Sequence, residues 1–347
     1  MSKKNRLYSL PYNGSNPDWF ISEVLKRKKY VHHVFCEFPY NEPVSHLKYL
    51  FNGSDGQVEN TVFSMDHYYN HIKLVIDFLK KSEGKFKRIC TLNSACYFFK
   101  NANDLTTFCD NMIKNIIDYK IDGLILSDYR IAEYIHKVLP ELELHTSCNT
   151  YSWNIRQMQI WKDNCGIKVF NPPRDILRKI SSLKEMYDAG FSLKCIVNEG
   201  CLFGCPNTVT HPICIATHCY FGQNCIRNGY GDIFKSNWIL PRWQKYYDAY
   251  VDIYKIAGRD IKAINYPFEC LDAYIQEKNN LCLSDIMING TVNFLKSKLD
   301  KPSLNKITLD KIPDKLVTCE CKECGKCTLC EKSLDKILTK EQKMLFQ

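Results

Sequence analysis

The stretch PRDILRKISSLKEMYDAGFSLKCIVNEG, from Pro173 to Gly200, decides the fold. Its first part opens on a proline and an acidic residue, which favour a helix start, and closes on Gly190, which suits the position after a helix. The second part, FSLKCIVNEG, is mostly apolar and does not alternate strictly with polar residues. Such a run is typical of a strand that helices cover on both faces. The stretch therefore predicts a helix followed by a buried parallel strand.

The same alternation recurs along the chain. A further helix start, Asn16-Pro17-Asp18, places a capping residue, a proline and an acid before WFISEVLKRKK. The apolar, β-rich runs are NRLYSLPYN (5–13), YVHHVFCEF (30–38), FKRICTLN (86–93), IDGLILSD (121–128), LELHTSCN (142–149), IKVFNPP (167–173), FSLKCIVNEG (191–200) and VDIYKIAG (251–258). Eight β/α units predict an α/β protein with a closed (β/α)8, TIM-like barrel. An open doubly wound sheet is the alternative, but the first turn, PYNGSN, lacks the G-x-G-x-x-G of nucleotide-binding sheets.

We predict that residues 1–285 form the barrel and that residues 286–347 form a short Cys-rich C-terminal appendage of linker and helix. The alternation fades near Leu283, and a lysine-rich connector with two prolines, KPSLNKITLDKIPDKLVT, follows. A cysteine cluster, CECKECGKCTLCEK, comes directly after the connector.

The chain contains 19 cysteines, and its first residues, MSKKNRLYSLPYNGSN, lack the apolar segment of a secretory signal. No run approaches the ~18 apolar residues that span a bilayer, so we expect a cytoplasmic protein without membrane contact. In that reducing compartment, clustered thiolates more often hold metal than form durable disulfides. The odd number also argues against a fully paired disulfide framework.

The net charge is +9, from 47 basic and 38 acidic residues. This excess is compatible with RNA or an anionic substrate as a partner. The lysines are scattered, as in LKRKK and KKSEGKFKR, so a solvated surface is the alternative explanation.

The first cysteine cluster lies in NEGCLFGCPNTVTHPICIATHCYFGQNC, residues 198–225. Its spacing, C-x3-C-x8-C-x4-C-x5-C, differs from the paired C-x2-C of structural zinc fingers. Irregular loops with four thiolates more often hold an iron–sulfur cluster, and buried cysteines without metal are the alternative. Since barrel enzymes place their chemistry at the C-terminal ends of the strands, we expect this loop over the barrel mouth.

Three residues near the same mouth are candidate catalytic groups. Glu199 at a strand end and His211 in the loop are candidates for proton transfer, and Arg259 could bind an anionic substrate. The alternatives are a structural partner for the loop backbone, an ordinary loop histidine and an internal ion pair. The ends of other runs that should face this space are Cys36, Asn93 and Asn149.

The second cluster, Cys321, Cys324, Cys327 and Cys330, has the spacing C-x2-C-x2-C-x2-C, with Cys319 just before it. A C-x2-C-x2-C run is ferredoxin-like, but a fourth ligand in the same run strains a single cubane. A small zinc site and a site that shares ligands with the barrel mouth are comparable alternatives. A structural clip for a tail without its own core is the third.

Several catalytic motifs are absent from the sequence. It contains no H-E-x-x-H, G-x-S-x-G or G-x-x-x-x-G-K-[ST], which removes zincin, serine hydrolase and P-loop interpretations. A papain-like protease would need one activated cysteine and a distant histidine rather than a group of cysteines.

The stretch VNEGCLFGCP, with PRDILRKISSLKEM before it and IYKIAGR after it, resembles the collagenase-like peptidases of unassigned catalytic type, peptidase family U32. LYSLPYNGSNPDWFISEVLKRKKYVHHVFCEF resembles the first two β/α units of that family, and GLILSDYRIAEYIHKVLPELELHTSCNTYSWN resembles its middle strands. The resemblance covers nearly the whole barrel. It implies a (β/α)8-like barrel, in which several members hold an oxygen-sensitive 4Fe–4S cluster on four cysteines.

The resemblance also implies an oxygen-independent, hydroxylase-type enzyme that acts on RNA, a peptide or a small aromatic substrate. The alternatives are a peptidase or peptide-binding protein with structural metal sites, and a non-catalytic subunit paired with a second barrel protein as a hetero- or homodimer. The hydroxylase branches carry a stretch like HGA-C-x-S-G-x-C where this chain reads NEGCLFGCP. Substrate and reaction therefore stay open.

By the resemblance, Cys201 and Cys205 match the cluster ligands best, and we expect Cys219 and Cys225 to complete the set. Cys214 is a substitute for one of them, and Cys36 stands where one branch of the family draws a ligand. A second iron–sulfur or zinc site would lie in the C-terminal cluster.

Overall fold

The computed structural model describes residues 5–41, 65–177, 179–210, 232, 234–258, 264–287, 307–319, 326–340 and 344, with side chains in the second range described from residue 68 onward. Its strands are β1 (Leu7–Pro11), β2 (Val31–Glu37), β3 (Arg88–Leu92), β4 (Gly123–Leu126), β5 (Glu143–Thr146), β6 (Ile167–Val169), β7 (Lys194–Ile196) and β8 (Ile253–Lys255). Its α-helices are α1 (Pro17–Lys26), α2 (Met65–Lys81), α3 (Ala102–Asp118), α4 (Tyr129–Val138), α5 (Ile155–Cys165), α6 (Ile180–Asp188), α7 (Gln244–Tyr247), α8 (Tyr266–Ile275), α9 (Leu283–Ile286) and α10 (Leu329–Leu334). Short 3-10 helices span Lys28–Tyr30, Cys148–Thr150, Arg174–Ile176, Pro241–Trp243, Leu309–Lys311 and Asp314–Leu316. Each of the eight predicted runs contains one strand, which confirms the β/α alternation.

The strands form one parallel sheet in the order β6-β5-β4-β3-β2-β1-β8-β7. The two ends of this sheet meet where Phe170, just after β6, pairs in parallel with Leu193, just before β7. The Phe170 amide donates to the Ser192 carbonyl at 2.8 Å, and the Lys194 amide donates to the Phe170 carbonyl at 2.7 Å. These bonds bring the ends together in a nearly closed, TIM-like barrel, and the predicted fold is confirmed.

Asparagine side chains cap the first turns of three described helices, the third being Asn154 at α5. The Asn16 side chain accepts a hydrogen bond from the Trp19 amide at 3.1 Å and Pro17 opens α1, as the sequence predicts. The Asn101 side chain accepts from the Asp104 amide at 3.0 Å in the same way at α3. Among the described residues, no helix is long and apolar enough to cross a membrane.

The helix predicted after Pro173 begins later than the sequence indicates. The chain first forms the 3-10 turn Arg174–Ile176, and α6 starts only at Ile180. The predicted start is wrong because side chains of this turn bind residues that follow β7, which holds the turn apart from the helix. The predicted end is right, since Gly190 follows α6 with φ +82°, a conformation that favours glycine.

Side chains that point into the barrel form three tiers along β2. His33, Phe35 and Glu37 alternate with residues of the outer core, so they follow one another inside the barrel from its N-terminal end towards the mouth. Phe35 packs with Ile89 and Ile125 in an apolar cluster separate from the main core. This apolar tier lies between the polar tier around His33 and the mouth.

A hydrogen-bonded chain of ionisable groups fills the lower, polar tier. Glu143 Oε1 lies 2.7 Å from His145 Nε2, and His145 Nδ1 lies 2.9 Å from Lys194 Nζ. Since an ionised carboxylate can only accept, His145 donates from Nε2, and its Nδ1 accepts from the amine. Lys87 binds the other oxygen of Glu143.

Burial decides which of these groups carry charge. It lowers the pKa of Lys194 well below its usual value, and the neighbouring Lys255 lowers it further. Burial, followed by repulsion from Lys194, lowers the pKa of His145 to about 3. Burial alone would raise the pKa of Glu143, but hydrogen bonds from His145 and Lys87 lower it to about 2. The tier therefore holds a neutral imidazole and a neutral amine beside an ionised carboxylate.

The main core lies between the outer face of the barrel and the helices. Cys36 belongs to this core together with Val34, and its sulfur lies 3.5 Å from that of Cys90 on β3. Its side chain thus points towards the helices, opposite to Phe35 and Glu37. The predictions that Cys36 faces the barrel mouth and that it could replace a cluster ligand there are therefore wrong.

The described parts of the appendage pack onto the barrel. Its apolar side chains in the main core include Ile307, Leu309, Ile312, Leu316, Val317, Leu334 and Leu338. Arg242 binds Asp314 at 2.9 Å, and Lys235 binds Glu331 at 2.7 Å. The tail therefore has apolar anchors and ion pairs that do not depend on its cysteines.

We expect Lys194 to make a contribution to the free energy of unfolding that rises with pH up to about pH 10, because its amine is neutral in the folded protein but protonated in the unfolded chain. Buried cysteines with raised pKa values, such as Cys195, make an opposite contribution that wild type and variant share. One such group contributes at most about 1.4 kcal/mol per pH unit. In Lys194→Met the contribution of the lysine is absent, so the slope against pH should be less positive. Urea denaturation under reducing conditions measures the slope.

The matched control for this variant is Lys137→Met, which removes an exposed lysine. It should keep the wild-type dependence on pH. Equal slopes for wild type and Lys194→Met would contradict a neutral Lys194.

Candidate functional site

The loops after β5, β6 and β7 meet at the barrel mouth around Arg174. Its Nε donates to Glu199 Oε2 at 2.7 Å, and its Nη1 donates to Asn149 Oδ1 at 3.2 Å. The Arg174 and Glu199 side chains are only 11% and 13% exposed. An ion pair this shielded from water is weakly screened and fixes the relative position of the loops that carry it.

Cys148 joins the same network from the end of β5. Its thiol lies 3.8 Å from Asn149 Oδ1, the oxygen that also accepts from Arg174. The side-chain Nδ2 of Asn149 donates in turn to the backbone carbonyl of Asn93, after β3, at 3.1 Å. The predicted positions of Asn93 and Asn149 at the mouth are therefore confirmed, and Asn149 connects three strand ends.

Two thiols contribute to the pKa of the Arg174 guanidinium. Burial opposes its ionisation, but Cys148, Glu199 and Cys201 together raise the pKa of the guanidinium well above its usual value. Burial raises the pKa of Tyr151, and the same two cysteines contribute to that rise. Cys148 and Cys201 therefore come from different strand ends, and both lie within electrostatic reach of one cation.

The first part of the cysteine loop is held by backbone contacts. The Cys205 amide donates to the Leu202 carbonyl at 3.3 Å, which makes a tight turn between the two thiols. Gly204 completes this turn with φ +69°, and its amide donates to Asp175 Oδ1 at 3.1 Å. Cys201 and Cys205 are half-buried on this turn.

The segment before α7 lies along the loop. The Phe203 amide donates to the Lys235 carbonyl at 2.8 Å, and the Asn237 amide donates to the Cys201 carbonyl at 2.9 Å. Lys235 Nζ binds Glu331 of α10 at 2.7 Å. One lysine therefore joins the cysteine loop to the helix that carries Cys330.

Two buried side-chain amides on segments next to the mouth have unmet hydrogen-bonding capacity within the described part of the chain. Asn237 is fully buried, and neither its Oδ1 nor its Nδ2 finds a partner within the described part of the chain. Asn171 is 1% exposed, its backbone amide binds Thr146 just before Cys148, and its Nδ2 has no partner there either. Each buried polar group without a hydrogen-bond partner lowers the free energy of unfolding by about 1–3 kcal/mol.

Of the predicted site residues, the structure brings Glu199 and Cys201 together at the mouth, with Cys205 on the same turn. Cys327 and Cys330 are half-buried, and Cys330 packs against the main core. The others lie outside the described residues: His211, Cys214, Cys219, Cys225, Arg259, Cys321 and Cys324. Among the described residues alone, no three His, Cys, Asp or Glu side chains form a group that could hold a metal ion.

Sequence reasoning missed Cys148, Arg174, Asn171 and Asn237. Cys148 could have been found, since it stands next to Asn149 at a predicted strand end. Arg174 was read as part of a helix start, although it also follows the sixth run and so belongs to a loop of the mouth. Nothing in the sequence singles out Asn237, because its importance depends on an unpaired amide that only packing reveals.

We predict that Asn237→Leu raises the free energy of unfolding of the metal-free protein by about 1–3 kcal/mol, because it removes a buried amide without partners. The matched control is Asn198→Leu. Asn198 is equally buried, but its side chain binds Ala257 and Tyr266 at 2.8–3.0 Å, so that change should destabilise the protein. Urea denaturation compares both variants, and a loss of stability in Asn237→Leu equal to that in Asn198→Leu would show that the amide is satisfied.

Comparisons with known proteins found one matching family model and similar proteins. Residues 64–202, from α2 to the start of the cysteine loop, match the model of peptidase family U32. The chain is 24% identical over 288 residues to the uncharacterized protease MJ1657 of Methanocaldococcus jannaschii, covering 76% of this chain and 80% of that protein. A solved structure, titled "The Structure of the U32 Peptidase Mk0906", covers 74% of this chain and 93% of its own, at 8% identity and a TM-score of 0.49. The part of the chain from residue 64 to residue 202 therefore belongs to peptidase family U32.

Proposed function

We propose that this protein is an oxygen-independent, hydroxylase-type enzyme with a 4Fe–4S cluster at the barrel mouth. The proposal rests on the surroundings of Cys201. Its thiol contributes to the raised pKa of the buried Arg174, and its backbone carbonyl accepts a hydrogen bond from the backbone amide of Asn237. A cation, thiols and an amide with unmet capacity are what a cluster of sulfur and iron needs from its pocket.

The donor set fits such a cluster. Thiolates are soft ligands that select iron–sulfur clusters or zinc, and the proposed ligands are Cys201, Cys205, Cys219 and Cys225. When bound, the cluster would supply one-electron transfer or a Lewis-acidic iron with an open position. For the C-terminal cysteines, Cys321, Cys324, Cys327 and Cys330, the proposal is a second iron–sulfur or zinc site.

The described side chains have separate roles in this proposal. Arg174 offsets the negative charge of the thiolates. It also orients Glu199 by donating a hydrogen bond to its Oε2. The other oxygen of Glu199 is the one left to accept a proton from substrate. Tyr151 donates to the Thr208 carbonyl, which anchors the loop beyond Cys205. His211 is proposed for proton transfer and Arg259 for binding an anionic substrate.

A basic cleft on the appendage favours RNA over a peptide or a small aromatic compound as substrate. The cleft has a volume of about 440 Å³ and lies between the 3-10 helices of residues 309–316 and α10. Its charged lining consists of Lys311, Lys315, Lys332, Lys336 and Asp335. Four cations against one acid suit a phosphate backbone, which is bound mainly by charge.

A peptidase, or a peptide-binding protein with structural metal sites, is the second candidate. It is favoured by the similarity to a protein named as a protease and by the name of the family. Cleavage of a peptide that survives complete removal of metal would support it over the first. As partner we propose a second barrel protein of the family, and light scattering of the purified chain would show a homodimer.

We predict that anaerobically purified protein contains iron and acid-labile sulfide with the absorption and EPR signals of a 4Fe–4S cluster. The double variant Cys201→Ser, Cys205→Ser should lose the signals of the barrel-mouth cluster, because two ligands are missing. Cys282→Ser is the control, since Cys282 lies far along the chain at the start of α9 and should keep the wild-type content. Stoichiometric zinc without sulfide in the wild type would contradict the proposal.

We predict that changing Lys311, Lys315, Lys332 and Lys336 together to glutamine weakens RNA binding and lowers its salt dependence, because fewer counterions are released. The matched control changes Lys28, Lys73, Lys80 and Lys85, which are exposed elsewhere, to glutamine. Fluorescence anisotropy with a labelled single-stranded RNA at several salt concentrations compares the two. Equal losses in both variants would mean that net charge alone attracts RNA.

A further inference from the structure

We propose that the rim of the barrel mouth binds unpaired bases of a single-stranded RNA by stacking them on the rings of Phe98 and Trp153. This inference rests on the proposed function, in which one base of an RNA reaches the mouth. It assigns the binding of neighbouring bases to the rim, whereas the basic cleft of the appendage would bind the phosphate backbone.

Phe98 is an exposed ring in a loop whose other aromatic side chains are packed. Its side chain is 81% exposed, whereas Tyr97 and Phe99 pack against the main core. Burial of a large aromatic side chain is among the stronger contributions to a fold, and Phe98 makes no such contribution. Single exposed apolar residues are common on protein surfaces, so what distinguishes Phe98 is how its loop is held.

Contacts on both sides of Phe98 hold its loop in place. The Ser94 amide donates to the Tyr97 hydroxyl at 3.3 Å. The rings of Tyr97 and Phe99 are parallel, and the Arg130 guanidinium lies 5.1 Å from the centre of the Phe99 ring. Arg130 Nη2 also donates to the Tyr97 carbonyl at 3.2 Å. A ring that is positioned before binding loses little conformational entropy when a base stacks on it.

The exposure of side chains along this loop places a cation beside the ring. Phe98 and Lys100 are exposed, whereas Tyr97 and Phe99 are half-buried. This alternation puts the Phe98 ring and the Lys100 amine on the outer side of the loop, two residues apart. A ring next to a positive charge suits a base and its adjoining phosphate.

A second exposed ring and cation lie where the loop after β5 enters α5. Trp153 is 40% exposed, and its backbone amide donates to Gln157 Oε1 at 2.8 Å. It precedes Asn154, whose side chain caps α5 by accepting from the Gln157 amide at 3.0 Å. Arg156 is exposed in the first turn of the same helix. The combination of an exposed ring with a nearby cation therefore recurs on two loops of the mouth.

Hydrogen bonds join the loops that carry these two rings. Asn149, at the end of β5, donates from Nδ2 to the Asn93 carbonyl after β3 at 3.1 Å. Ser127, after β4, donates from its hydroxyl to the Ser94 carbonyl in the loop of Phe98. Strands β3, β4 and β5 are neighbours in the sheet, so the loops that follow them form one continuous part of the rim.

This part of the rim adjoins the residues proposed for chemistry. Tyr151, two residues before Trp153, donates to the Thr208 carbonyl beyond the turn of the cysteine loop. Asn149 accepts from Arg174 Nη1 at 3.2 Å. A base that stacks on the rim would therefore lie beside the mouth, from which a neighbouring base of the same strand could enter it.

Charge favours a nucleic acid over an apolar protein surface as the occupant of the rim. Lys100, Arg130 and Arg156 supply positive charge next to the rings. The acids beside them are already engaged, since Asp104 accepts from the Lys100 amide at 3.1 Å and Asp128 binds Arg130 at 2.6 Å. Exposed rings interspersed with cations are typical of proteins that bind single strands, and the net charge of +9 attracts the same partner.

The test measures the Kd of a short fluorescein-labelled oligouridylate by fluorescence anisotropy with the anaerobically purified chain. Phe98→Ala and Trp153→Ala should each raise the Kd by about 5- to 150-fold, because each removes a surface on which a base stacks. Phe98→Trp keeps a ring and should retain the wild-type Kd. Tyr187→Ala is the matched control, since it removes an exposed ring near the end of α6, at the opposite end of the barrel.

An abasic oligonucleotide of equal length and charge separates stacking from attraction to phosphate. Wild type should bind it more weakly than the oligouridylate, and Phe98→Ala should narrow that difference without changing the salt dependence. The same measurements on metal-free protein keep this inference separate from the proposed function. A loss confined to the ring variants supports the rim even if the wild type carries no iron and the proposed cluster is therefore wrong.

Three results would overturn the inference even if the cluster is present. They are a wild type that does not bind RNA, a wild type that binds the abasic strand equally well, and a folded Phe98→Ala with an unchanged Kd. Light scattering detects the competing occupant, a protein partner. A change from oligomer to monomer in Phe98→Ala with unchanged RNA binding would assign the ring to a protein interface instead.

Discussion

The backbone bonds of Phe170 close the barrel, and the arrangement of the mouth depends on that closure. They join the end of β6 to the start of β7, so the loops that follow these strands emerge side by side. Arg174 on one loop can then reach Glu199 on the other at 2.7 Å. Without closure, these residues would stand at opposite edges of an open sheet, since β6 and β7 are its end strands.

The barrel interior separates two kinds of polar chemistry. Below, Glu143, His145 and Lys194 satisfy one another in a complete hydrogen-bonded chain. Above the apolar tier, the mouth combines a paired cation with thiols and with the side-chain amides of Asn171 and Asn237, whose Nδ2 groups have no partner among the described residues. A complete network stabilises the fold, whereas a buried donor without a partner carries a cost in stability.

The sequence predicts the barrel well because its strands are covered on both faces and so read as continuous apolar runs with helix signals between them. It predicts the mouth only in part. Glu199 and Cys201 were recognised because they follow a strand in a motif, whereas Arg174 was hidden by a false helix start. The direction of Cys36 was misjudged because, in a run buried on both faces, apolar character does not show which residues point inward. The unpaired amide of Asn237 depends on packing between distant segments, which no local pattern records.

Lys235 connects the cysteine loop to the C-terminal appendage through two hydrogen bonds. Its carbonyl holds Phe203 between Cys201 and Cys205, while its amine holds Glu331 next to Cys330 and the basic cleft. Linkage is reciprocal, so any effect of an occupied cleft on the cysteine loop is matched by an equal effect of an occupied loop on the cleft. A single residue, through its backbone carbonyl and its side-chain amine, thus gives a physical route by which binding at the appendage and binding at the barrel mouth could influence each other.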